Sequence, residues 1–338
     1  MNNTDCLIVG GGPSGLFAAF YAGLRGLDVT IIEHQDRLGG KLKFYLDKIV
    51  WDIGGVEANT AANIRESMVK QGLTFNPTVH LNESVMRIKK ERDVFKVETT
   101  KDTHYANTVI LATGVGVFSP VKLNLPDAED FEYENLHYYI EETKHYKDKH
   151  VLISGGGNSA LDWATHLADG IADVTLVCRK DELKGYEATI KELEKKDVNI
   201  IKQRTIEELR SNKDGTMIER VVLSGGEEID ADIVFVNHGY KSDSALLESL
   251  KGDIKMNEYN QILTEERVKT GVDGLYAIGD QVHYDNRVHL IATGYPEASE
   301  AVNFAKHYID KEELDGAIVS SHNEKFDELN KEVRQSLE

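Results

Sequence analysis

Cysteine is scarce in this chain. It has two in 338 residues, Cys6 and Cys178, and no CxxC pair. That count excludes a disulfide framework, and it fits a reducing compartment. Both thiols stand in strand-like stretches, where unpaired cysteine belongs as a small buried side chain. No run of about 18 apolar residues occurs, so no membrane span is expected. The opening "MNNTDCLIVGGG" lacks a basic stretch and a cleavage site, so no export signal is expected and a cytoplasmic location is. Basic charge is outnumbered, with 39 Lys and Arg against 58 Asp and Glu, for a formal net charge of −19. A surface of that sign argues against nucleic acid and anionic membrane as partners.

What is present is the composition of a soluble globular protein, 41% apolar and 29% charged, long enough for two domains. "DCLIVG" is a continuously apolar strand, as expected when both faces of a parallel sheet are covered. "GLFAAFYAGLRG" predicts a helix stopped at Gly26, and "DVTIIEH" a second strand. "AANIRESMVKQG" predicts another helix. The stretch from Val85 to Gly114 reads as an antiparallel meander leading into a buried strand. A break with two of the five prolines, "VFSPVKLNLPDAED", follows, and the strand–turn–helix theme restarts at Val151. These patterns predict an α/β protein with two Rossmann-like nucleotide-binding domains of the three-layer ββα type. The expected boundaries give 1–116 as the first part of one domain, 117–242 as the other, and 243–338 as the completion of the first with a C-terminal extension. The tail carries Phe326, Leu329, Val333 and Leu337 at helical spacing.

Two glycine turns carry the chemistry. Gly10, Gly12 and Gly15 follow a strand and open a helix in the order G-x-G-x-x-G. The pattern provides a tight turn, backbone approach to a pyrophosphate and close helix–strand packing. Glu33 ends the next strand, where a carboxylate accepts from a free ribose 2′-OH and repels a 2′-phosphate. The second turn has Gly155, Gly157 and Ala160. Its next strand ends in Arg179 and Lys180, with Lys184 just beyond. Cations there suit a 2′-phosphate. A nicotinamide gives up an electron pair as hydride, and a flavin takes such a pair and passes electrons on singly or in pairs. FAD in the first turn and NADPH in the second is therefore the expected cofactor pair.

Together these segments resemble the thioredoxin-reductase-like flavoproteins over nearly the whole chain, with "GGGPSG", "LGGK", "ILATG", "GGGNSALDWA", "CRKDELKGYEA" and "LYAIGD" in that family's order. "KIVWDIGG", "NLHYYIEE" and "SSHNEKF" further resemble its ferredoxin–NADP⁺ reductases. Thioredoxin reductases carry a CxxC ahead of the second turn; here that region is "NLHYYIEETKHYKDKH". Without a dithiol, electrons must leave the flavin directly, so a ferredoxin or flavodoxin-type carrier is the expected partner. Other acceptors are a quinone, an iron chelate or free flavin; a nucleotide-binding regulator without turnover is the rival of another class.

The resemblance implies FAD contacts from Gly10, Gly12, Pro13, Ser14, Gly15, Glu33, Gly40, Lys41, Val85, Gly279, Asp280 and Ile291. Tyr45 is expected to stack on the flavin, with Trp51 as the alternative. Phe118 is expected to line the flavin, and Ser321 to lie near it with His322 over a ring face. In the second turn it implies NADPH contacts from Gly155, Gly157, Asn158, Ser159, Arg179, Lys180 and Lys184. "HLIATGYPEAS" is expected to start a helix whose free N–H groups face the flavin. Lys41, Lys43, Lys48, Lys144, Lys147 and Lys149 are candidate docking cations for an acidic carrier. A homodimer is also implied.

Overall fold

The computed structural model describes residues 3–114, 116–132, 134–140, 142–243, 245–312 and 319–337. In chain order the first elements are β1 (Thr4–Val9), α1 (Pro13–Leu24), β2 (Val29–Ile32), α2 (Ala61–Gly72), β3 (Thr78–His80), β4 (Val85–Glu91), β5 (Val94–Thr99) and β6 (Thr103–Leu111). There follow β7 (Leu136–His137), β8 (His150–Ser154), α3 (Asn158–Leu167), β9 (Asp173–Cys178), α4 (Glu187–Leu193), β10 (Val198–Lys202), β11 (Ile206–Ser211), β12 (Ile218–Leu223), β13 (Glu228–Asp230) and β14 (Ile233–Val236). The chain closes with β15 (Leu275–Ala277), α5 (Gly294–Ile309) and α6 (Asp327–Leu337).

The chain divides into two compact units. One comprises Met1–Lys43, Lys48–Val117 and Asp243–Glu338; the other comprises Phe44–Asp47 and Phe118–Ser242. The short piece Phe44–Asp47 clusters with the second unit, where the sequence pattern marks no break. A contact distant in sequence ties it there: Asp47 Oδ2 accepts from the N–H and the hydroxyl of Thr143, at 2.6 and 2.8 Å.

In the first unit the strands run in the order β3-β2-β1-β6-β5-β4, with β15 also paired to β6. β1 pairs in parallel with β2 and β6, and β2 with β3, while β4, β5 and β6 form the antiparallel meander. Register is set by apolar matches such as Ile8 opposite Ile31 and Ile110. The helix α1 presents Ala18, Ala19 and Ala22, small enough to bring its axis close to its neighbours. Ala298, Ala301, Val302 and Ala305 of α5 lie in the same core cluster. Gly26 ends α1 in the left-handed region at φ +79° and donates to Gly23 O.

In the second unit β7-β14-β8-β9-β10 form a parallel sheet, and β11-β12-β13 a separate antiparallel one. One core lies between these two sheets, with Leu152, Val221 and Val234; a second lies against α3, with Ile153, Leu161 and Leu176. That is the ββα layering expected from the pattern.

Candidate functional site

The first grip forms where β1 turns into α1. Gly10 holds φ at +104°, and a Cβ there would stand 2.4 Å from Ala112 O. A Cβ on Gly15 would stand 2.0 Å from Gly10 O, so α1 and the turn approach at backbone distance. Gly12 caps the helix in extended backbone, and Pro13 takes the first turn, where its missing N–H costs nothing. Beside Gly12 the first atom a Cβ would meet is Gly40 Cα, 3.7 Å away. The turn is thus an open cradle at a helix N-terminus, the standard seat of a pyrophosphate. Ser14 lies under Gly279 and Gly294, where Cβ atoms would stand 3.0 and 2.1 Å from its Oγ.

Glu33 follows β2 and is 3% exposed. Its Oε2 accepts the Gly11 N–H at 2.7 Å, and its Oε1 the Gln35 N–H at 2.9 Å. His34 Nδ1 stands 2.8 Å from Oε1. Burial pushes this carboxyl up, but the hydrogen bond and charge of His34 and the N–H groups of Gln35 and Gly11 outweigh it and hold it below its ordinary value. Beside it the Gln35 Oε1 is buried with no hydrogen-bond partner. An unanswered acceptor next to an anchored carboxylate fits a hydroxyl-bearing sugar and base.

Asp280 sits in the 3-10 turn Gly279–Gln281 after β15. Lys41 Nζ pairs with its Oδ2 at 2.6 Å, joining two predicted site residues 239 apart in sequence. Arg287 and His289 each stand 3.7 Å from its Oδ1. Burial raises the Asp280 carboxyl, and Lys41, Arg287 and His289 together bring it below its ordinary value. Behind it lies a pair that sequence reasoning missed. Glu297, fully buried on α5, accepts from Gly279 N at 2.7 Å, Tyr284 Oη at 2.8 Å and Arg287 Nε at 2.8 Å. In the sequence Glu297 resembles an ordinary acid in the first turn of a helix, so nothing marks it as interior.

The other expected contacts fall as follows. Val85 opens β4, buried, opposite Thr99. Ile291 begins the 3-10 turn Ile291–Thr293 that runs into α5, the helix expected from "HLIATGYPEAS". Gly40, at φ +59°, opens the 3-10 turn Gly40–Tyr45. Tyr45 is half-buried and packs on the core of the second unit, while Trp51, in the first, is 80% exposed. Phe118 has its backbone in the strand Val117–Pro120; its side chain, like that of His322, lies outside the described residues. Ser321 and His322 form part of the turn Ser320–His322. Within the chain this segment is not gathered to the cradle. Asn323 Nδ2 donates to Leu24 O, and the Phe326 ring lies tilted against Phe20 and edge-on to Phe75, at the end of α1 away from Gly12.

The second grip repeats the device with different finish. A Cβ on Gly155 would stand 2.6 Å from Asn237 O and 3.0 Å from the Cβ of Ala160, so this position needs glycine. Gly157 caps α3 with nothing within 4 Å of its Cβ position. Asn158 and Ser159 follow, both exposed, and Asn158 Oδ1 accepts the Tyr186 N–H at 2.9 Å. Lys184 N donates to Gly156 O, which draws the cationic segment to the turn. Arg179, Lys180 and Lys184 are all exposed. The Lys184 ammonium, with Arg179 adding to it, pushes Lys180 below its ordinary value, as crowded like charges do. Asn237 Nδ2 is buried without a partner. His238, another residue the sequence did not mark, meets Ser154 Oγ at 2.8 Å; burial and then Arg179 lower its pKa.

Cys6 and Cys178 are both buried, free and in different units. Burial raises both thiols, that of Cys6 to about 12, so neither is a ready nucleophile.

Two glycine-turn units, one with a buried carboxylate just after its second strand and one with exposed cations there, define a two-nucleotide oxidoreductase fold. The family model for pyridine nucleotide-disulphide oxidoreductases matches residues 4–303. Ferredoxin–NADP reductase 1 of Bacillus licheniformis is 43% identical, covering 98% of this chain and 97% of that protein. Ferredoxin–NADP reductase of Staphylococcus saprophyticus is 44% identical, with coverage of 97% and 98%. The chain belongs to the pyridine nucleotide-disulphide oxidoreductases, and within them to the ferredoxin–NADP reductases. Among solved structures, thioredoxin reductase of Lactococcus lactis superposes with a TM-score of 0.68 at 22% identity, covering 91% of this chain and all of that one. Thioredoxin reductase of T. acidophilum gives 0.68 at 24%, covering 92% and 99%. These two share the fold. No helix among the described residues is long and apolar enough to cross a membrane.

Proposed function

We propose that this chain is an FAD-dependent enzyme that transfers electrons between NADPH and ferredoxin. The observation that carries the reading is the contrast between the grips: an anchored, buried carboxylate at the first ribose position and three exposed cations at the second. FAD, when bound, supplies the conversion between a hydride's electron pair and single electrons. Gly11, Gly12 and the first turn of α1 would hold its pyrophosphate, and Glu33 its adenosine ribose. Asp280, kept charged by Lys41 and oriented with Gly279 by the Glu297–Arg287 pair, would accept from its sugar chain. Tyr45, Val85, Phe118, Ile291 and the start of α5 complete the expected set. Arg179, Lys180 and Lys184 would hold the 2′-phosphate of NADPH, and Gly155, Gly157, Asn158 and Ser159 its pyrophosphate. Without a dithiol, the acceptor receives electrons directly. A homodimer and a cytoplasmic location complete the proposal, and flavodoxin is a second one-electron carrier of the same kind.

The test is stopped-flow reoxidation of the NADPH-reduced protein. Ferredoxin should reoxidise it faster than a quinone, an Fe(III) chelate or free flavin at equal concentration. A protein that takes up no flavin, or that reacts with one of those acceptors and not with ferredoxin, would overturn the proposal.

A further inference from the structure

Among the described residues, one cluster of metal-ligating side chains lies outside both grips. His80 ends β3, Glu83 stands in the following loop, and His104 is the second residue of β6. Their ligand atoms all lie within 4.8 Å of one another. His80 Nδ1 is 3.4 Å from Glu83 Oε2, and His104 Nε2 is 2.7 Å from Glu83 Oε1. The two imidazoles meet edge to face at 4.7 Å. Glu83 is buried, while the His80 side chain keeps 35% of its surface exposed, which leaves a way in from solvent.

Two imidazoles and one carboxylate are the donors of zinc and its first-row neighbours; magnesium and calcium take oxygen donors. A tetrahedral ion with bonds of about 2.0–2.1 Å sets its ligands about 3.3 Å apart. The 3.4 Å from His80 Nδ1 to Glu83 Oε2 already matches; His104 Nε2, now 2.7 Å from Oε1 of the same carboxylate, reaches the ion by side-chain rotation away from that oxygen. The Thr99 hydroxyl donates to Glu83 Oε1 at 2.6 Å. That is the outer hydrogen bond that steadies a ligating carboxylate.

We propose that His80, Glu83 and His104 form a binding site for one zinc-like divalent ion. The ion takes the lone pairs of His80 Nδ1 and His104 Nε2 and one carboxylate oxygen. Any proton on those nitrogens moves to the other ring nitrogen or to solvent. Water fills the fourth position on the His80 side. The site adjoins the first grip through the backbone. Glu33 N donates to His80 O at 2.8 Å, and Glu83 N donates to Glu33 O at 3.0 Å. An ion joining His80 to Glu83 therefore braces the loop that carries Glu33. This last consequence rests on the flavin reading above; ion binding itself does not.

The test uses FAD-loaded protein stripped with a chelator, then titrated with Zn²⁺ by calorimetry and with Co²⁺ by visible absorption. One equivalent should bind, with the strong absorption of tetrahedral Co²⁺, and should raise the melting temperature. Losing an outer-shell partner already costs roughly 10–100-fold in affinity, so His80→Ala and His104→Ala should each cost more than about 100-fold. Far-UV circular dichroism checks their folding, and the half-exposed His80→Gln decides the matter if His104→Ala is unfolded. No stoichiometric ion on the wild type, or equal binding by the His80→Ala/His104→Ala double variant, would overturn the proposal. A colourless protein that still binds one equivalent would sustain this site while refuting the flavin reading.

Discussion

The two glycine turns are the same backbone device built to opposite finishes. In the first, the carboxylate that follows the second strand, Glu33, is buried and already holds two backbone N–H groups and an imidazole. In the second, the cations at the matching place, Arg179, Lys180 and Lys184, are exposed and crowd one another. A ligand seated in the first gains from buried, preorganised contacts, which suits a resident cofactor. A ligand seated in the second gains mainly from charge near solvent, which suits one that comes and goes. The difference lies in what surrounds the turn.

The largest expected effect separates the turns sterically. Gly15→Ala puts a Cβ 2.0 Å from Gly10 O, a backbone atom that cannot yield cheaply. It should cost more than about 3 kcal/mol in urea unfolding, beyond the usual overpacking range. Gly157→Ala meets nothing within 4 Å and should cost less than about 0.5 kcal/mol, while still weakening NADPH binding. Equal destabilisation by both would break the comparison.

Next in size is the charge test. Arg179→Ala combined with Lys180→Ala would remove the charge-assisted bonds proposed for a 2′-phosphate. The preference for NADPH over NADH, measured as a kcat/KM ratio, should fall on the order of 100-fold. An unchanged ratio would mean that the second grip does not read the phosphate.

Glu33→Gln should loosen FAD by about tenfold in a dilution assay, since a charged acceptor becomes a neutral one. It also carries a pH signature. The Glu33 carboxyl is held below its ordinary 4.5 in the folded chain. Its charge therefore contributes stability fully above that value and loses it as the pH falls toward the folded pKa. The stability gap between wild type and Glu33→Gln should be widest at neutral pH and close in acid. A gap that widens in acid would reverse the assignment.

The smallest effect is expected of Lys41→Gln. Its ion pair with Asp280 is short, but the Lys41 side chain is 53% exposed, so loss should cost less than about 1 kcal/mol. A shift in the flavin spectrum with unchanged melting temperature would place Lys41 at the cofactor and not in the scaffold.

Both turns, their helices, the meander and the signs of Glu33 and Arg179-Lys180 were legible because each is local: a strand, a turn and a helix start leave their marks within about 30 residues. The Glu297–Arg287 pair was not, because an acid in a first helical turn has the same letters whether it faces water or the interior. Nor was the allegiance of Phe44–Asp47, which depends on Asp47 meeting Thr143, 96 residues on.

The linear order of residues by itself determined the strands, the two glycine turns, and the absence of a CxxC pair, since each follows from nearest-neighbour geometry or from simple counting. Only the tertiary structure decided which charges meet: Lys41 with Asp280, Arg287 with Glu297, and His80 and His104 on Glu83. Those partners lie on different elements, and a side chain's field and hydrogen bonds act through space, to which separation along the chain is blind.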